Sequence, residues 1–272
     1  MAHLLLRGEP LQAHPSPAAG PATIEAVLFD KDGTLSSSEP MLQALAEARV
    51  FYGCRLLAEV HPQLGQAAGS ELASLLQRAY GLDAHGVHPA GTSAVASRDH
   101  NLISTATALC QVGLGWPEAL ELAHATFLAT DGLHGQGSTH RPTATQGLHP
   151  LLLQLQQAGV ACAVISNDEI AGIEAFLESQ QLQPHFQAIW SAEHVPRKPD
   201  PAAVHGLCAL LGVAPQRCAL VGDANSDLQM AERAGVAVVL GYSAGWRRRP
   251  PLASRFAQVG NWQELSIASG DS

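Results

Sequence analysis

Lysine is almost absent from this chain. Of 15 basic residues in 272, 13 are arginines and only Lys31 and Lys198 are lysines. GC-rich coding accounts for the arginine excess, so a lysine kept against that bias is one whose compact ammonium is needed. Positive charge is also short overall: 15 basic against 24 acidic residues give a net charge of −9. That excludes a nucleic-acid binder working by general electrostatics, though not a small anion held through local charge or a metal. No apolar run nears the roughly 20 residues needed to cross a bilayer, so no membrane partner is expected. The five cysteines, at 54, 110, 162, 208 and 218, are odd in number and lack CxxC spacing. A disulfide framework is therefore not expected, and a reducing compartment fits. The first residues carry no basic segment followed by a long apolar stretch, and a cytoplasmic location is the expectation.

What is present falls into two patterns. Residues 24–30 (IEAVLFD) form a short, nearly continuous apolar run stopped by Lys-Asp-Gly, as expected of a strand buried on both faces. From residue 147 onward, helical and strand segments alternate. The helices are expected at 148–158, 169–179, 201–211 and 226–234, and the strands at 160–165, 188–190, 218–222 and 236–240. Such βα alternation implies an α/β fold: a Rossmann-like parallel sheet flanked by helices. Between the two, residues 37–145 show helical periodicity at 41–52, 71–80, 102–112 and 117–129, separated by Gly/His/Pro-rich stretches at 81–93 and 132–147. This block reads as a mostly helical domain inserted into the first, so the core is expected at 1–36 and 146–272 and the insert at 37–145. At the start, 3–7 reads as a short edge strand and 9–22 as a Pro/Ala-rich linker.

In an open α/β sheet, ligands bind beyond the carboxyl ends of the strands. Those positions hold Asp30, Asp32 and Gly33, then Ser166, Asn167 and Asp168, then Lys198, then Asp223 and Asp227. Carboxylates brought together there would repel one another unless a hard cation neutralised them, and an all-oxygen donor set suits Mg²⁺. The ion, Lys198, Ser166 and backbone N–H groups could in turn neutralise a phosphoryl group, which an aspartate could attack. In Asp30-x-Asp32 the first carboxylate would stay ionised as nucleophile. The second, beside like charges, would have a raised proton affinity and act as acid and base. Gly33 permits the sharp turn that brings backbone donors inward.

VLFDKDGTL (27–35), VISN (164–167), RKPDP (197–201) and VGDANSDLQMA (221–231) resemble the four ordered motifs of the haloacid dehalogenase (HAD) superfamily. The likeness is to its phosphatase branch with a helical C1-type cap, in the style of phosphoglycolate phosphatases. It covers 24–35 and 160–240; the insert carries no matching motif. The resemblance implies a Mg²⁺-dependent phosphatase acting on a small phosphorylated metabolite through an aspartyl-phosphate. Asp30 would be nucleophile and metal ligand. Asp32 would be the general acid/base and ligate through its backbone carbonyl. Ser166, with Asn167 beside it, would bind phosphate, as would Gly33. Lys198 would hold Asp30 and the phosphate oxygens, while Asp223 and Asp227 would complete the metal site.

Plainer readings stand beside these. Ser166–Asp168 could cap the following helix, and Asp227 could simply favour a helix N-terminus. Lys31 admits a structural or a substrate-gating role. Arg98, Asp99 and His100 are candidates for facing the site, and Arg247–Arg249 reads as a solvated run. The histidines show no zinc-binding spacing. Within the superfamily, Asp32 argues against a dehalogenase. The absence of lysine from 37–145 argues against a Schiff-base phosphonatase. A sugar phosphomutase remains an alternative, as does a metabolite-binding regulator without turnover. The oligomeric state, including a dimer, stays open.

Overall fold

Ala26–Phe29 is buried at all four positions, and alternate residues meet different cores. Val27 and Phe29 join one apolar cluster, whereas Ala26 and Leu28 join another, as the period-2 geometry of a strand requires. In the computed structural model, which describes residues 2–13, 20–132 and 141–269, this strand lies inside a six-stranded sheet. The strand order is Ala257–Val259, Val238–Tyr242, Cys218–Gly222, Ala26–Phe29, Ala161–Ile165 and Ala188–Trp190. Every neighbouring pair is parallel. Helices Leu148–Gln157 and Ile170–Ser179 cover one face through Leu151, Leu155, Ile173 and Phe176. Pro201–Leu211 and Asn225–Arg233 cover the other through Val204, Leu207, Leu228 and Ala231. This is the α/β arrangement expected from the alternating pattern.

Several local expectations need correction. The opening segment is not an edge strand: Ala2–Leu6 is the middle of a separate antiparallel sheet, between Glu9–Pro10 and Leu265–Ser269. The start of the expected linker is thus a strand, while residues 14–19 lie outside the described residues. The strand expected at 236–240 runs from Val238 to Tyr242, because Gly235 (φ 75°) and the two residues after it still belong to the turn. Ala257–Val259 and Leu265–Ser269 carried too few apolar residues to be noticed in the sequence.

The chain divides into two units, Met1–Ser37 with Thr143–Ser272, and Ser38–Pro142. The second contains helices Glu39–Val60, Gly65–Tyr80, Thr92–Val95, Arg98–Gln111 and Trp116–Asp131. Their apolar sides meet in a core of its own, built around Leu57, Leu72, Leu76, Leu109 and Phe127. Helical periodicity located four of these helices but undershot them, and it missed Thr92–Val95. Glu39–Val60 extends well beyond 41–52, and its buried stripe continues through Gly53 and Leu57. Ser97 caps Arg98–Gln111 by accepting from the His100 amide. The stretch at 81–93 is more than loop: Leu82–Asp83 pairs with Gly86–Val87 as a short hairpin. Residues 133–140, including His134 and His140, lie outside the described residues. No helix among the described residues is long and apolar enough to cross a membrane.

Candidate active site

Register places the functional residues. Phe29 lies opposite Val221 on one side and Val164 on the other. The next residues along the three strands, Asp30, Gly222 and Ile165, therefore stand at one level, with Gly222 still paired to Gly241 and Ile165 to Trp190. The Asp30 amide still donates to the Val221 carbonyl (2.9 Å), and Ser166 closes its strand by donating to Trp190 (2.9 Å). A Cβ at Gly222 would crowd the Asp227 side chain, so the glycine lets the first turn of Asn225–Arg233 press Asp227 towards the strand end.

One carboxylate oxygen each from Asp30, Asp223 and Asp227 lies within 4.8 Å of the others. They come from two distant parts of the chain, Asp223 and Asp227 lying four residues apart, and all three residues are buried. The Lys198 ammonium sits among them, donating to Asp30 Oδ1 (2.6 Å) and to the Ile165 carbonyl (3.3 Å) and pairing with Asp227 Oδ1 (2.8 Å). Burial pushes the Asp30 carboxyl up to about 6 against the pull of Lys198, with Asp227 adding to the rise. Burial likewise holds Asp223 well above the usual carboxylate range, reinforced by Asp30 and Asp227. For Lys198, burial works to lower its proton affinity, but Asp227 and Asp30 outweigh it and raise it. Three carboxylates and one ammonium leave two formal negative charges in a buried space. This donor set fits a divalent, oxygen-preferring cation such as Mg²⁺. Among the described residues it is the one such group of three potential ligands.

The carboxylate of Asp32 does not join this group. Lys31, 2 % exposed, donates to both Asp32 oxygens (2.9 and 3.1 Å) and to Asp168 Oδ2 (2.8 Å). Ser36 Oγ also donates to Asp32 Oδ1 (3.2 Å). The picture of four carboxylates around one ion, with Asp32 flanked by like charges, is therefore corrected: three converge, and Asp32 faces a cation. Asp30 pairs with Lys198 from a distant segment, whereas the intervening Lys31 folds back onto Asp32. Its own proton affinity is lowered by burial but raised overall by Asp32 and Asp168.

Ser166 is buried, and its hydroxyl accepts from the Asp168 amide (3.1 Å); Asn167 follows it. These residues do not cap the next helix as the sequence suggested. That helix starts at Ile170 with Glu169 at the cap position and no side-chain cap bond; the Ile170 amide instead donates to Glu193 Oε1 (2.9 Å). Gly33 takes φ 80°, and a Cβ there would overlap the Trp246 indole and the Asp223 carboxylate. In the helical unit, Arg98 is engaged with Asp131 and lies over Phe127.

Sequence reasoning missed the part played by four residues. Trp246 donates its indole N–H to Asp223 Oδ2 (2.5 Å), and Thr34 Oγ1 donates to Asp223 Oδ1 (3.4 Å). Thr145 Oγ1 donates to the Thr34 carbonyl (2.8 Å), and Trp262 donates to Thr145 (2.7 Å). Thr34 lies inside the first motif but was given no role there; the other three have no spacing signal, and the only hint was a tryptophan in an otherwise Gly/Pro/Arg-rich segment.

Parallel strands deliver carboxylates and one lysine to the carboxyl end of the sheet, where open α/β folds bind their ligands. The model of the haloacid dehalogenase-like hydrolases matches residues 24–235, and the chain belongs to that family. It is 32% identical over 258 residues to the phosphoglycolate phosphatase of Rhodospirillum rubrum, covering 91% of this chain and 94% of the relative. To the phosphoglycolate phosphatase of Pseudomonas putida KT2440 it is 30% identical over 234 residues, covering 83% and 72%. Its fold resembles the crystal structure of a predicted phosphoglycolate phosphatase from Haemophilus somnus 129PT, with TM-score 0.57 and 18% identity over 88% of this chain and 95% of that one. The protein is an enzyme, a HAD-type phosphatase of the phosphoglycolate-phosphatase-like kind.

Proposed function

We propose that the enzyme hydrolyses a small phosphomonoester, phosphoglycolate or a sugar phosphate, with Mg²⁺ at the Asp30–Asp223–Asp227 group and Asp30 as nucleophile. The single observation that carries this reading is the convergence of three buried carboxylates, two of them paired with Lys198. When bound, the metal supplies charge neutralisation for the carboxylates and the phosphoryl oxygens.

The chain's own residues do the rest. Lys198 fixes one oxygen of Asp30, so the carboxyl stands in a single orientation and reacts without rotational search. Asp30 attacks phosphorus, the P–O bond to the alcohol breaks, and an aspartyl-phosphate forms. Asp32 gives its proton to the departing oxygen, then takes one from the water that attacks phosphorus and releases phosphate. Ser166, Asn167 and the backbone around Gly33 bind the phosphoryl oxygens, and the same ammonium of Lys198 balances them. The Asp32 backbone carbonyl would serve as a further protein ligand to the metal. The Ser38–Pro142 unit is read as the cap of this family branch, carrying substrate selection.

Phosphate release is to be measured on a panel of phosphorylated metabolites with Mg²⁺. Turnover of a small phosphomonoester that is lost in Asp30→Asn is expected. No turnover above that of Asp30→Asn on any substrate refutes the reading.

A further inference from the structure

The segment 243–246 (SAGW) lies beyond the last motif of the active-site set, yet it reaches the centre of the site. Trp246 is buried, and its indole N–H is aimed at Asp223 Oδ2. The other oxygen of Asp223 takes the Thr34 hydroxyl. Asp223 is thus held from both sides, each oxygen carrying one donor and keeping lone pairs for a further partner. The approach is close by construction. A Cβ at Gly33 would strike the indole, and a Cβ at Gly245 would strike the Gly33 backbone. Two glycines, one in each segment, let the nucleophile turn and the SAGW segment lie against each other.

We propose that Trp246 is a positioning residue of the metal site. Its indole N–H fixes the rotamer of Asp223 so that this carboxylate presents its free lone pairs towards Asp30 and Asp227. Carboxylate ligands are in general oriented by such outer hydrogen bonds, and their loss costs metal affinity. An indole suits the task because it offers one donor and no acceptor. It cannot compete for the cation, and its bulk keeps water from the outer side of the carboxylate. The inference rests on the reading of Asp223 as a metal ligand.

The test is calorimetric titration of the substrate-free protein with Mg²⁺, beside phosphate release as a function of Mg²⁺ concentration. Trp246→Phe removes the donor and keeps an aromatic ring. Its Mg²⁺ Kd is expected to rise roughly 10- to 100-fold, while kcat at saturating Mg²⁺ stays within a few-fold of wild type. A wild-type Kd in Trp246→Phe overturns the inference. If that variant does not fold, as judged by circular dichroism, benzothienylalanine at position 246 carries sulfur in place of the N–H with the indole's shape. The same rise in Kd is expected there, and a wild-type Kd is equally decisive against it. Asp223→Asn separates the two levels of the argument. If Asp223→Asn binds Mg²⁺ as wild type does, the metal-site reading itself fails. If Asp223→Asn loses Mg²⁺ and Trp246→Phe does not weaken it, only the role of Trp246 fails.

Discussion

Replacing the nucleophile by its amide, Asp30→Asn, should make the metal-free protein more stable while abolishing its turnover. The Asp30 carboxyl is buried, and burial raises it from 3.8 to about 6 even with Lys198 attached. A native value above the unfolded one means that the folded chain binds this proton more tightly. Stability is then highest at low pH, falls as pH rises from about 4 through about 6, and has lost the full contribution at neutrality. At roughly 1.4 kcal/mol per pH unit, ionised Asp30 costs the metal-free fold about 3 kcal/mol. An asparagine carries no charge at any pH and leaves Lys198 paired with Asp227. Asp223 is relieved as well, because Asp30 contributes to its elevation. Thermal unfolding in a chelator at neutral pH should therefore show Asp30→Asn melting roughly 6–12 °C above wild type, at about 2–4 °C per kcal/mol for a domain of this size. Its stability should also vary less than wild type's between about pH 4 and pH 6. Added Mg²⁺ should close the gap, since a hundredfold excess over Kd stabilises the binding form by about 2.7 kcal/mol and the amide is the poorer ligand. A variant no more stable than wild type in chelator, or one with the same pH slope, would refute the argument that desolvation outweighs the lysine at Asp30.

The opposite substitution, Lys198→Ala, leaves Asp30 and Asp227 buried without their counter-charge. It should destabilise the metal-free protein by about 3–5 kcal/mol in urea denaturation, in addition to losing activity; a loss below about 1 kcal/mol would contradict the pairing. Lys31→Met removes the cation that both Asp32 oxygens share with Asp168. The proton affinity of Asp32 should rise, so the limb of the kcat/KM–pH profile set by that carboxyl should move to higher pH; an unmoved limb would show that Lys31 has no electrostatic hold on Asp32.

Much of the site was legible because it is written locally. Asp30, Ser166 and Asp223 each end a short apolar run, and a run of β-branched and apolar residues becomes a buried parallel strand whatever lies far along the chain. The two lysines stood out against an arginine-rich background, and both prove to be buried among carboxylates. What periodicity could not supply was the partner of each charge. Asp30 and Asp32 are two residues apart and look equivalent in sequence. Strand register sends the first to Lys198 and Asp227, while Lys31 folds back to hold the second against Asp168. The antiparallel sheet joining Ala2–Leu6 to Leu265–Ser269 was hidden for the same reason: it is made by residues at opposite ends of the chain.

The sequence alone determined the α/β class, the alternation of the main strands and helices after residue 147 and which acidic groups stand at strand ends, since hydrophobic period and turn residues act over a few positions. Only the tertiary structure decided which three carboxylates share a space, which one is withdrawn by Lys31, and that a tryptophan after the last motif reaches Asp223. Those outcomes depend on contacts between distant segments, whose close approach at Gly33 and Gly245 leaves no periodic trace in the chain.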